Sequence, residues 1–559
     1  MNIKRAKNEI KDTIEAYLLK DEFGEYVIPQ IRQRPVLLLG APGIGKTQIM
    51  EQIAHECRIG LVAYTITHHT RQSAIGLPFL SKMEFDGQEY TVTEYTMSEI
   101  VASIYKKMEV TGLREGILFI DEINCVSETL APAMLQFLQC KTFGSHEIPQ
   151  GWIIVAAGNP PEYNKSVREF DVVTMDRVKK IEVEPDYAVW KEYALKEQLH
   201  SAVISYLDTR PGSFYKMETT VDGRKFVTPR GWEDLSTMLR VYESLGKEMD
   251  REVVVQYIQH EMIAKDFANY LELYQKYRMD YQLDRVLNGQ IDEVLLKKAA
   301  HAPFDERLAV VSLLLSRCRE AIAAYLREEE VNALLYEQLK ILKEDIFTDS
   351  ESDSADMEGT PADPEKMSSA IARKSAAATK YPADEAGDSA NGVPEAARKN
   401  VGRTRAYRAH ACLTDQIAQV YEEYEQKKTA GLLSRVEDRQ YRQVAETLES
   451  YYQCLKTSEL REPEDAFAWM KGQFDRAQDA LDASFEEAGS LLEHAFDFIE
   501  AAFGSGQEMV VFITNLNTDE FCVRFLRQYD CERYYQYNKE LLFEEKSRSI
   551  EARLAELDI

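Results

Sequence analysis

Val36-Leu37-Leu38-Leu39-Gly40-Ala41-Pro42-Gly43-Ile44-Gly45-Lys46-Thr47 is the stretch on which the fold turns. Its apolar start lacks alternation, as expected of a strand covered on both faces. The strand runs into G-x-x-x-x-G-K-[ST], and a helical stretch follows with Met50, Ile53, Ala54 and Cys57 at helical spacing. Strand, glycine loop and helix in that order make a phosphate cradle. The glycines let successive backbone N–H groups turn inward, and the positive end of the helix adds to that field. Gly40, Ala41, Pro42, Gly43, Ile44, Gly45, Lys46, Thr47 and the adjoining Gln48 are therefore the predicted nucleotide-binding residues. Lys46 is expected on the β- and γ-phosphates, and the Thr47 hydroxyl on Mg²⁺.

Similar apolar runs recur outward from this point. Leu61–Tyr64, Ile117–Ile120, Ile153–Ala157 and Lys180–Val183 read as further strands, with helical stretches such as Leu130, Met134, Phe137 and Leu138 between them. Ahead of them, Ile10, Ile14, Tyr17 and Leu18 mark an amphipathic helix. Strands alternating with helices predict a parallel α/β sheet. Asp121-Glu122 then falls at the carboxyl edge of a buried strand, the edge at which open α/β sheets bind ligands. Asp121 is the natural Mg²⁺ partner and Glu122 the base that polarises an attacking water. Asn159, after the Ile153 run, is placed to hold that water or the γ-phosphate; by itself, Asn159-Pro160 reads equally as a turn initiator.

The ordered set Gly40–Thr47, Asp121-Glu122-Ile123-Asn124, Ala157-Gly158-Asn159-Pro160-Pro161 and Thr228-Pro229-Arg230-Gly231-Trp232 resembles the MoxR-type and related ring-forming AAA+ ATPases over roughly residues 30–270. The resemblance implies ATP as the nucleotide, Asn159 as first sensor, and Arg230 as a second sensor reaching the γ-phosphate of its own subunit. It also implies that Arg177 is the arginine finger inserted into a neighbouring subunit, with Arg168 close enough to compete for that role. Val178 stands where such enzymes often carry Phe. Thr228-Pro229 is suited to start a helix, and Trp232 to anchor its first turn. A homo-oligomeric, hexameric ring and a partner with a von Willebrand factor A domain follow by the same likeness.

The chain has 559 residues, too many for one core, and its 45% hydrophobic and 29% charged content is that of a globular protein. The predicted organisation is an α/β P-loop domain with its N-terminal helix (1–184), an all-α lid and extension (185–346), a disordered acidic linker (347–403) and a separate helical C-terminal domain that docks a partner (404–559). The linker is assigned from Ser, Asp, Ala, Pro and Gly with almost no aromatics. Val510–Ile513 reads either as a lone strand or as a buried helical turn. No signal-peptide-like or membrane-length apolar stretch is present, which predicts a cytoplasmic protein without a membrane partner. A net charge of −28 argues against nucleic acid as ligand and disfavours a nucleic-acid motor. The eight cysteines lack zinc spacing and read as reduced, mostly buried thiols.

Weaker candidates complete the reading. His68-His69 would need a third metal ligand that nothing signals, so loop residues are the better interpretation. Phe143 either grips a substrate from a hairpin tip or packs beneath the sheet. The expected activity is Mg²⁺-dependent ATP hydrolysis coupled to remodelling, or to metal insertion and maturation, of a protein client. An ATP-gated scaffold with little turnover is the alternative.

Overall fold

A computed structural model describes residues 1–68, 74, 76–143, 146–163, 170, 172–220, 223–347, 408–458 and 460–541. In chain order the first part runs α1 (Ile3–Leu18), β1 (Val36–Gly40), α2 (Lys46–Cys57), β2 (Gly60–Thr65), β3 (Pro78–Phe85), β4 (Gln88–Tyr95), α3 (Glu99–Thr111), β5 (Gly116–Asp121), α4 (Ala131–Cys140), β6 (Thr142–Phe143), β7 (His146–Glu147), β8 (Trp152–Gly158), α5 (Val172–Arg177) and β9 (Lys179–Val183). Five of these strands form one parallel sheet in the order β2-β5-β8-β1-β9.

Successive side chains of a strand face opposite sides, so a sheet covered twice needs apolar residues at every position. Val36 and Leu38 of β1, with Phe119 and Val155, pack under Ile10 and Ile14 of α1 and Met50 and Ile53 of α2. Leu37, Leu118, Ile120 and Ile154 face the other way, onto Ile100 and Ile104 of α3 and Met134 and Phe137 of α4. Phe143 joins this second layer at 2% exposure, stacked on Phe137 with ring centroids 3.8 Å apart, which is the packing alternative rather than the gripping one.

The next part runs α6 (Tyr187–Lys196), α7 (Ser201–Thr209), β10 (Lys216–Thr220), β11 (Gly223–Val227), α8 (Pro229–Ser244), α9 (Arg251–Tyr257), α10 (Glu261–Asp280), α11 (Leu283–Leu287), α12 (Glu293–His301) and α13 (Phe304–Phe347). The all-α expectation for 185–346 holds except at one short hairpin. β10 and β11 form an antiparallel hairpin in which Met217 faces Phe226. Alternation in Lys216-Met217-Glu218-Thr219 carries the strand period over this short segment. A second hairpin, β3 with β4, turns at Asp86-Gly87, both with positive φ (53° and 78°), as a two-residue hairpin turn requires.

The remaining helices are α14 (Arg408–Ala430), α15 (Arg435–Thr457), α16 (Pro463–Phe503), α17 (Gln507–Thr518) and α18 (Glu520–Leu526). Val510–Ile513 lies within α17, so the helical alternative holds. The chain divides into two compact units, one of residues 1–327, 425–438 and 482–559, the other of 328–424 and 439–481. The second is built on Leu335, Leu339 and Leu342 of α13, Leu413 and Ile417 of α14, and Leu448 and Tyr452 of α15. In the first, Arg319 of α13 is ion-paired with Asp519, which is 1% exposed and also caps α18 by accepting from Phe521 N at 2.9 Å.

All eight cysteines are free; Cys318, Cys412, Cys522 and Cys531 are buried, while Cys140 and Cys454 are exposed. Among the described residues no helix is long and apolar enough to cross a membrane. Arg168, His69 and residues 348–407, which include nearly all of the predicted linker, lie outside the described residues.

Candidate nucleotide-binding site

β1 stands between β8 and β9, so the sheet extends to both sides from its carboxyl end and leaves a crevice there. The chain turns through Gly43 and Gly45, at φ of 74° and 92°, and enters α2 at Lys46. A Cβ on Gly43 would lie 3.2 Å from Thr228 Oγ1 and 3.3 Å from Arg230 Cβ, so the loop is packed directly under the start of α8. Arg230 N donates to Gly43 O at 3.2 Å. Thr228 caps α8 by accepting from Gly231 N, Pro229 occupies its first turn, and fully buried Trp232 donates to Ser213 O and Phe214 O.

Lys46 is 8% exposed and gives its ammonium protons to Gly40 O (2.9 Å), Ala41 O (2.8 Å) and Asn159 Oδ1 (2.9 Å). Burial pushes its pKa down to about 8; the Asp121 carboxylate opposes this, the Arg230 guanidinium adds to it and Glu122 opposes it. The cation is thus held by the loop's own carbonyls in a place suited to an anion.

Thr47 Oγ1 donates to Asp121 Oδ2 at 2.9 Å. A hydroxyl and a carboxylate oxygen at that separation form a hard-oxygen set that fits Mg²⁺, with other positions left to phosphate and water. Among the described residues no group of three or more His, Cys, Asp or Glu could hold a metal ion, so a metal here would take water or phosphate as its other ligands. Glu122 follows with left-handed backbone (φ 55°, ψ 35°), unusual for a residue with a side chain, and its N–H donates to Asp121 Oδ1 at 2.9 Å.

The structure brings Lys46, Thr47, Asp121, Glu122, Asn159 and Arg230 together around one crevice. It does not bring Arg177. That residue is exposed at the end of α5 and its Nη1 donates to Gln139 Oε1 on α4; among the described residues no hydrogen bond joins it to the loop. Two neighbours, Tyr193 and Glu233, have no place in the sequence-based expectations, and Asn124 stands there only within its motif, without a role. Asn124 donates from Nδ2 to Asn159 O at 2.7 Å. Tyr193 of α6 lies 3.5 Å from Gln48 Nε2 and donates to Glu233 Oε1 of α8 at 2.8 Å. Burial, with Glu233 beside it, drives the Tyr193 phenol well above its ordinary range.

Residues 35–178 match the family model described as the AAA domain of the dynein-related subfamily. A solved protein of Cytophaga hutchinsonii, provisionally described as an ATPase, aligns at 16% identity with a TM-score of 0.19. The alignment covers 32% of this chain and 52% of that one, so the chain spans about half the length of that protein. Among curated proteins none matches.

Proposed function

We propose that this chain, which carries an AAA+ P-loop domain in residues 35–178, is a ring-forming, Mg²⁺-dependent ATPase that spends ATP on remodelling or maturing a protein client. The observation that carries the reading is the convergence of Lys46, Thr47, Asp121 and Asn159, each within hydrogen-bond range of another, at the carboxyl edge of β1, β5 and β8. Lys46 would leave the Gly40 and Ala41 carbonyls for the β- and γ-phosphates. Thr47 and Asp121 would hold Mg²⁺, which when bound offsets phosphate charge. Glu122 would take the proton of the attacking water, Asn159 would orient that water, and Arg230 would reach the γ-phosphate from the lid.

Arg177 is assigned to a neighbour's site, as the MoxR-type likeness implies, and its exposure supports use in trans. A trans arginine contributes factors of about 10³–10⁵ in rate, so turnover should depend on assembly. A hexameric ring, a von Willebrand factor A domain partner, metal insertion as one form of the work, and a cytoplasmic setting belong to the same proposal. Steady-state ATP turnover per subunit, measured across a concentration series with Glu122→Gln as control, tests it. A rate that rises with assembly and vanishes in the variant is expected. A rate that is negligible at every concentration leaves an ATP-gated scaffold instead.

A further inference from the structure

We infer that Asn124 is a positioning residue for Asn159, acting through the backbone of the strand end rather than on any reacting atom. The inference rests on the proposed reading of the crevice as an ATPase site.

Three observations combine. The ladder between β5 and β8 ends at Ile120 opposite Ala156, so nothing in that ladder ties the segment from Ala157 to Asn159 to the β5 side. On the other side, β1 pairs only as far as Leu39 opposite Gly158. Among the described residues no backbone hydrogen bond outside these ladders reaches Asn159, and its carbonyl is taken by the Asn124 carboxamide at 2.7 Å.

Asn124 is 4% exposed, in the turn Ile123–Cys125 directly after Glu122. Its Oδ1 is buried without a hydrogen-bond partner among the described residues. An unpaired buried acceptor is a cost that an apolar residue would avoid, so the bond made by Nδ2 is what the polar residue supplies. Gly158 completes the fit. A Cβ there would meet Asn124 Oδ1 at 2.6 Å and Cγ at 2.9 Å, so only glycine lets the carboxamide lie against the strand.

The link runs from Asn124 Nδ2 to Asn159 O, and from Asn159 Oδ1 to Lys46 Nζ. Asn124 thereby couples the segment that carries Asp121 and Glu122 to the side chain proposed to orient water.

Two measurements test it. In crystal structures of nucleotide-free Asn124→Ala and of the isosteric Asn124→Asp, which keeps the volume and loses the donor, the 2.9 Å contact between Lys46 and Asn159 should open beyond hydrogen-bond range. Its retention with Asn159 unmoved overturns the inference. In steady-state kinetics kcat should fall about 10- to 100-fold, with KM for ATP changed less than about threefold, because orientation rather than affinity is lost. The double variant Asn124→Ala/Asn159→Ala should be no slower than Asn159→Ala alone; losses that multiply overturn the inference. Gly158→Ala, which displaces the carboxamide from the opposite side, should reproduce the kcat loss if either Asn124 variant does not fold. A wild-type chain without turnover would remove the ATPase reading and leave the crystallographic contact to decide this one.

Discussion

The backbone N–H of Arg230 and the carbonyl of Gly43 share a hydrogen bond of 3.2 Å, so the first turn of α8 rests on the loop that would cradle phosphate. A rearrangement of the loop on binding an anion would therefore reach the first turn of α8 by direct contact.

Gly43→Ala follows directly. The left-handed backbone at φ 74° costs an L-residue about 1–2 kcal/mol, and the added methyl enters the space beside Thr228 and Arg230. Thermal unfolding should shift downward accordingly. ATP affinity, read by isothermal titration, should weaken about tenfold or more, since about 1.4 kcal/mol is a factor of ten. Unchanged affinity would show that the loop and the lid are not coupled.

Binding of ATP should take up a proton at mildly alkaline pH. Phosphate next to Lys46 favours its charged form, which burial alone disfavours, so the pKa of about 8 should rise in the complex. Affinity is then expected to fall as pH increases above about 8. Calorimetry in buffers of different ionisation enthalpy reads the proton directly, and Lys46→Arg should abolish the uptake.

Stability of the nucleotide-free chain should move the opposite way. Lys46 and Lys141 are both buried and both brought down to about 8 from 10.5, so between those values the unfolded chain binds more protons. Unfolding free energy therefore rises with pH through that window from these two groups, and the penalty is fully present below about 8. Replacing Lys141 with Met should flatten the rise in urea titrations at pH 8, 9 and 10.

Arg177→Ala should leave ATP affinity within about threefold and cut turnover about 10³-fold or more, as loss of a trans arginine does. Mixing it with Lys46→Ala subunits, each otherwise inactive, should restore part of the rate. The mixed sites would have an intact loop from one subunit and an intact arginine from the other. No recovery on mixing would remove Arg177 from the interface role.

Removing one partner of the Arg319–Asp519 pair should destabilise the chain by about 3–5 kcal/mol, because the other charge is left buried. Asp519→Leu with Arg319→Met should cost less than either alone, as read in chemical denaturation. Additive losses would mean the two residues act independently.

The central sheet is legible because its determinants are local: each apolar run is its own strand, and Gly40–Thr47 carries its turn within eight residues. The start of α8 is legible for the same reason, with cap, proline and anchor adjacent at 228–232. The β3–β4 turn carried a usable signal, since Asp86-Gly87 between strand-like segments is a hairpin mark. Asn124 is different. Its partner is 35 residues away and is a carbonyl, which any residue supplies, so no side-chain pattern at 159 points back to it. Tyr193 beside Gln48 depends likewise on how α6 and α2 pack, which no spacing within either helix encodes.

Arg319 and Asp519 are 200 residues apart in the chain. During synthesis the sheet strands from β1 to β9 are all present once residue 183 has emerged, whereas the guanidinium of α13 meets its counter-ion only when α17 and α18 have been made. The nascent lid thus passes a long interval with an uncompensated cation at a site destined for burial. That interval is when a stalled or truncated product would be most exposed to proteolysis.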